Sequence, residues 1–173
     1  MNALESAVAA FVAADLDAWP GLPALITLTD LTRLLDADAA HLQLGSAGEP
    51  SRSRSWVTAA SSIYSDGLRL WLDEDDERVV ALEGRRPVDA GGDPRRAPML
   101  PEPDARLAVT FGPARVPGEE AVYAGRGLAV KVHPGSGALL GVFGFTPTTL
   151  EDYRSRIRPS DEPDRPLLLG GQR

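Results

Sequence analysis

Residues able to do chemistry are few in this chain, and they are scattered. The two histidines, His41 and His133, lie far apart in sequence, and neither stands in a ligand-spaced cluster. A zinc site needs converging donors, and no such spacing is present. His133 falls at an expected hairpin turn and reads as exposed, while His41 sits near a helix end that weakly favours a cation. Cysteine is absent, which removes disulfides, thiolate metal sites and thiol nucleophiles. The run Asp73-Glu74-Asp75-Asp76-Glu77 invites a calcium reading. An EF-hand loop starting there would carry Arg78 at its sixth-position glycine and Gly84 at its twelfth-position glutamate. A solvated hairpin tip fits better. Gly135-Ser136-Gly137, followed by Gly141, lacks the glycine spacing of a phosphate cradle and lies inside a hairpin. No serine elbow or Walker sequence occurs. These residues lead us to expect a chain without catalytic apparatus, metal or cofactor.

Binding is the chemistry that remains. Alternation over Gly67–Leu72 puts Leu68, Leu70 and Leu72 on one face and Arg69 and Trp71 on the other. An exposed Trp beside Arg has the composition of an interface hot spot. The competing reading has the N-terminal helix covering that face, which makes Trp71 core. The candidate partner-binding residues are Trp71, Arg69, Trp56, Tyr64, Tyr123 and Lys131. Glu119 and Glu120 beside Tyr123 would supply acid–base groups if the sheet formed a concave cup for a small molecule. A nucleic-acid surface, for which Arg52-Ser53-Arg54-Ser55-Trp56 joins charge to an aromatic, would require Arg52, Arg54, Arg95 and Arg96 to converge on one patch.

Composition narrows the partners. The chain has 173 residues and a formal charge of -7, which favours solubility and a basic protein partner and disfavours nucleic acid and anionic membranes. Lys131 is the single lysine among 18 basic residues; with abundant Ala, Gly, Pro and Arg this is the residue usage of a GC-rich bacterial genome. The first basic residue is Arg33, so the N-terminus lacks the basic start of a signal peptide, and the expected compartment is the cytoplasm. No run approaches the ~20 apolar residues of a membrane span.

The elements that must position these residues follow from period and punctuation. Asn2 with Glu5 makes a capping box, and Leu4, Val8, Phe11 and Val12 recur at helical spacing, predicting a helix over 3–17 ended by Trp19-Pro20-Gly21-Leu22-Pro23. A second helix starts at Thr27 or Thr29 and runs through Leu35. Residues 45–55 read as a loop, 67–72 as a strand, and 78–82 as its hairpin partner. The segment 89–103, with Pro, Gly and charge and almost nothing to bury, reads as a linker. Asp104–Phe111 reads as a strand. Gly67–Leu72 then aligns with Gly127–Val132 at a shift of 60, which also carries Val79, Val80, Leu82, Gly84 and Pro87 onto Leu139, Leu140, Val142, Gly144 and Pro147. Tyr64 and Tyr123 stand one residue out of that register. An internal duplication is the natural reading. Thr148 and Glu151 have capping-box spacing before a last helix through Tyr153 and Ile157, stopped by Pro159. Its arginines, Arg154, Arg156 and Arg158, are expected on a salt-bridged solvent face with Glu151 and Asp152. Residues 160–173 read as a tail, although Leu167-Leu168-Leu169 could dock.

Each unit reads as a helix or turn, a Gly loop, an aromatic and a Gly-Leu-x-Leu hairpin: Thr29–Leu35, Gly45, Trp56 and Gly67–Leu82, then Gly112-Pro113, Tyr123 and Gly127–Phe145. This resembles the helix-then-hairpin module of the small outer-membrane-assembly lipoproteins and, in tandem, is similar in outline to the β-lactamase-inhibitor proteins. The resemblance implies binding to another protein through a sheet face, without catalysis. The expected fold is α+β: two related antiparallel hairpin units forming a sheet packed by N- and C-terminal helices. The expected organisation is 1–88 (N-terminal helix and first unit), 89–103 (linker), 104–159 (second unit and C-terminal helix) and 160–173 (mobile tail). The expected function is a non-catalytic protein-binding module, an immunity or inhibitor protein or an accessory subunit.

Overall fold

A computed structural model describes residues 1–35, 42–46, 53–73, 78–111 and 114–158. The protein is α+β. One antiparallel sheet holds eight strands: β1 (Leu42–Ser46), β2 (Ser53–Ala59), β3 (Leu68–Asp73), β4 (Val79–Arg85), β5 (Ala105–Phe111), β6 (Val116–Tyr123), β7 (Leu128–Val132) and β8 (Leu139–Phe145). Their spatial order is β1-β2-β3-β4-β8-β7-β6-β5, so two four-stranded meanders meet along β4 and β8. The helices are α1 (Ala3–Val12), α2 (Leu28–Leu35) and α3 (Leu150–Asp152), the last continuing into a π-helical turn over Tyr153–Ile157.

The Asn2–Glu5 capping box forms as expected, with both reciprocal bonds present. α1 nevertheless ends at Val12, short of 17. Ala14 takes a left-handed φ of 53°, and the Asp15 N–H donates back to the Ala10 carbonyl, closing the helix with the geometry usually built on glycine. Thr27 caps α2, exchanging bonds with Asp30.

Alternation then sorts the sheet into two buried faces. On one, α1 and the following segment pack Phe11, Leu16, Trp19 and Leu22 against Val57, Leu68, Leu70, Leu72, Leu82, Leu128, Val130 and Val142. On the other, Tyr153 and Ile157 cluster with Trp56, Trp71, Ala81, Ala129, Phe143 and Phe145. The first face needs glycine where aromatics press onto the strands: a Cβ at Gly84 would collide with the Tyr64 ring, and one at Gly144 would sit 2.8 Å from the Trp19 ring. The N-terminal segment also stitches the far half of the sheet. Trp19 Nε1 donates to the Gly127 carbonyl at 3.0 Å, Leu22 N to the Phe145 carbonyl at 3.0 Å, and Arg126 Nη2 to the Leu16 carbonyl at 2.9 Å.

Both hairpins carry a bulge at the same point. Trp71 opposes Ala81 and Leu72 opposes Val79, leaving Val80 extra; Lys131 opposes Gly141 and Val132 opposes Leu139, leaving Leu140 extra. The start of each second arm is clamped alike: Val79 N donates to the Ile26 carbonyl and Leu139 N to the Arg95 carbonyl, both at 2.7 Å. The segment expected as a linker, 89–103, is thus bound into the sheet. Arg96 bridges to Ala138, and Ala97 and Leu100 pack on the core. The apolar side chains that make this possible, Ala97 and Leu100, stand toward its end, after the Gly-Pro-charge stretch. The loop expected over 45–55 is shorter, since β1 runs to Ser46 and β2 starts at Ser53. The last cap is Thr149, whose Oγ1 accepts from Asp152 N, and not Thr148, whose hydroxyl bonds the Asp152 carboxylate instead.

Candidate functional site

Of the six residues expected to meet a partner, Trp71, Arg69, Trp56 and Lys131 share one sheet face, while Tyr64 and Tyr123 lie on the other. Trp71 is 1% exposed, which corrects the expectation of an exposed hot spot. The face is core as the competing reading required, although the element packed onto it is the C-terminal turn and not α1. Trp56 and Arg69 are buried beside Trp71. The Trp56 and Trp71 rings lie 5.1 Å apart, and the Arg69 guanidinium stacks 4.5 Å from the Trp56 centroid and 5.6 Å from that of Trp71. A desolvated cation–π contact contributes about 2 kcal/mol. Tyr64 is wholly buried, stacked on Phe11, with its hydroxyl donating to the Phe11 carbonyl at 2.5 Å. Tyr123 is buried on that same face.

Two carboxylates are buried with the aromatics. Glu83, opposite Arg69 in register, accepts from Trp71 Nε1 at 2.8 Å. Glu120, 1% exposed, accepts from the Tyr153 hydroxyl at 2.5 Å and faces Arg158 Nε at 3.5 Å. The grouping of Glu119 and Glu120 with Tyr123 does not form. Alternation sends Glu120 to the face opposite Tyr123, and Glu119 lies out with Arg106 at 2.8 Å. Burial, reinforced by the Glu120 charge and hydrogen bond, holds the Tyr153 hydroxyl well above its ordinary value. The π-helical turn explains Arg158. It displaces the last side chains from α-helical positions, so Arg158 turns inward to Glu120 and only Arg156 keeps the expected pairing with Asp152, at 3.2 Å.

The remaining sequence candidates do not assemble. His133 Nδ1 accepts from Gly135 N and Ser136 N, both at 3.1 Å, closing its own turn. Arg95 folds onto the Val88 carbonyl, and the side chains of Arg52 and Arg54 lie outside the described residues. So do His41, Glu74 to Glu77, Gly112-Pro113 and residues 160–173. Among the described residues no three His, Asp or Glu side chains gather as a metal site, and no helix is long and apolar enough to cross a membrane.

A feature that does reach solvent was not foreseen. A groove of about 430 Å³ opens at one end of the sheet, lined by Ala24, Leu25, Asp73, Arg78, Val79, Val80, Thr146, Asp152, Arg156 and Ile157. The bulge presents Val80, consistent with the way bulges re-aim side chains beside sites. The other bulge residue is closed in: the Leu140 carbonyl accepts from Arg86 N at 2.9 Å and its side chain lies over Gly118. Leu25 is 74% exposed and takes φ 62°, a left-handed conformation that costs an aliphatic residue roughly 1–2 kcal/mol. Comparisons with protein-family models, curated proteins and solved structures find no match.

Proposed function

We propose that this chain is a non-catalytic protein-binding module, an immunity or inhibitor protein or an accessory subunit, made of two duplicated halves. The pairing supports the duplication. Shifting β3 and β4 by 60 residues reproduces the β7–β8 register and its bulge, and shifting β1 and β2 by 64 (Trp56 to Glu120) reproduces the β5–β6 register. The difference falls in the β2–β3 connection, 60–67, which is longer than its counterpart, 124–127. That is why Tyr64 and Tyr123 stand out of register. The central β4–β8 pairing maps onto itself, with Glu83 opposite Phe143. Two meanders in tandem are also what the helix-plus-hairpin resemblance implies.

The observation that carries the binding reading is Leu25, an aliphatic side chain held out to solvent in a strained conformation on the rim of the groove. Strain of this kind clusters at functional positions. The buried acids, by contrast, each hold a donor: Glu83 has Trp71, and Glu120 has Tyr153. The charge of -7 would steer encounter with a basic partner. A pull-down from native lysate comparing wild type with Leu25→Gly tests this, because glycine relieves the left-handed strain and removes the side chain. A stoichiometric partner lost from a variant at least as stable as wild type is the expected result. Capture by neither protein counts against the reading, and equal capture by both places the contact away from the groove. The groove volume also suits a small molecule, and a ligand bound there without any protein partner would favour a small-molecule-binding cup instead.

A further inference from the structure

We infer that the groove takes the free C-terminus of a partner chain that ends in an apolar residue. This rests on the binding-module reading and adds the chemistry of the contact. The aliphatic part of the lining is Ala24, Leu25, Val79, Val80 and Ile157; beside it stand Thr146 and the Arg78–Asp73 ion pair at 3.8 Å. Among the polar groups of the lining, Asp152 is committed twice, its Oδ1 to Arg156 Nε at 3.2 Å and its Oδ2 to the Thr148 hydroxyl at 2.8 Å. Its own N–H is held by Thr149. Asp152 is therefore fixed in place, and it orients Arg156 through Nε alone. Among the described residues nothing else pairs with the two terminal nitrogens of Arg156, and its side chain is 79% exposed. The groove therefore presents a positioned guanidinium fork beside an aliphatic floor.

A fork of that shape matches a carboxylate bidentately. A space of about 430 Å³ accommodates one or two residues, so carboxylate and apolar side chain must come from nearly the same place on the ligand. A terminal Leu, Val, Ile or Phe carries both on one Cα. An internal Asp or Glu places its carboxylate at the end of a separate side chain, and its apolar neighbour points the other way in an extended segment. The broken symmetry of the sheet fits this placement. At the equivalent position in the other half, Arg86 N closes on the Leu140 carbonyl; here the Thr146 hydroxyl reaches the Pro23 carbonyl at 3.5 Å and leaves Val80 lining open space.

The test titrates the intact protein with three tripeptides by calorimetry: N-acetyl-Gly-Val-Leu as the free acid, the same peptide as its C-terminal amide, and N-acetyl-Glu-Val-Leu amide. The free acid should bind with a dissociation constant below about 1 mM, and amidation or Arg156→Gln should each weaken it about tenfold or more. Arg156 is exposed, so the variant should fold as wild type does, which circular dichroism checks. Equal binding of acid and amide, preference for the glutamyl amide, or no binding of any peptide at about 5 mM overturns the proposal. If the peptides fail while Leu25→Gly still abolishes partner capture, the terminus proposal falls and the binding module stands. If the peptides fail and neither protein captures a partner, both fall.

Discussion

The hydroxyls of Tyr64 and Tyr153 are buried, and burial pushes both above the ordinary tyrosine value of 10. For Tyr153 the Glu120 charge adds to the rise. A folded-state value above the unfolded one means that the unfolded chain releases its proton first. The stabilisation is complete below about pH 10 and falls as pH rises further. Urea midpoints at pH 8 and pH 11 should therefore differ, the alkaline one being lower, and Tyr153→Phe should flatten that dependence. At neutral pH the same variant leaves Glu120 without its hydroxyl donor and should lose about 1–3 kcal/mol. Gly144→Ala would place a Cβ 2.8 Å from the Trp19 ring and 3.1 Å from that of Phe11. Trp19 cannot retreat without breaking its bond to Gly127, so a loss of about 1–3 kcal/mol is expected in thermal or denaturant melts.

At the scale of elements, the end of α1 is open to improvement. Ala14 occupies the left-handed position that glycine fills without strain, so Ala14→Gly should raise stability by about 0.5–1 kcal/mol, read from the urea midpoint. Most elements were legible in the sequence. The Asn2–Glu5 box, the alternation of Leu68, Leu70 and Leu72, and the turn at His133 each rest on contacts within a few residues. Burial of the second face was not legible, because period-2 alternation separates two faces without saying what covers either. What packs there is a turn whose arginines read as solvent-facing, and a π-helical displacement of one residue is invisible in a spacing pattern. Glu83 lay beyond the expected end of its strand at 82. Had β4 been carried on to Arg85, alternation would have placed Glu83 beside Arg69. The groove was hidden for a different reason. Its lining comes from five separated segments, and nothing in Pro23-Ala24-Leu25 announces a left-handed leucine.

The whole molecule is two meanders joined edge to edge along β4 and β8, with the chain crossing between them at Asp89–Asp93. That crossing is an exposed turn held by the Asp89 carboxylate, which accepts from Gly91 N at 2.9 Å and Asp93 N at 3.0 Å. Continuity of the chain there is not what holds the halves together; the β4–β8 pairing and the N-terminal stitch are. Fragments 1–91 and 92–173, expressed together, should co-elute at the size of the intact 173-residue protein. Separate elution would show that the covalent link is needed.

The stitch also sets a schedule for the chain as it is made. Trp19 and Leu22 find their acceptors on Gly127 and Phe145, so this segment docks against a strand synthesised long after it. At about 5–20 residues per second, that interval is on the order of ten seconds. Through it Phe11, Trp19 and Leu22 remain without their final partners. A nascent chain of this protein would be a client for a ribosome-associated holdase until β8 emerges, and its aggregation in cell-free translation should drop when such a holdase is supplied.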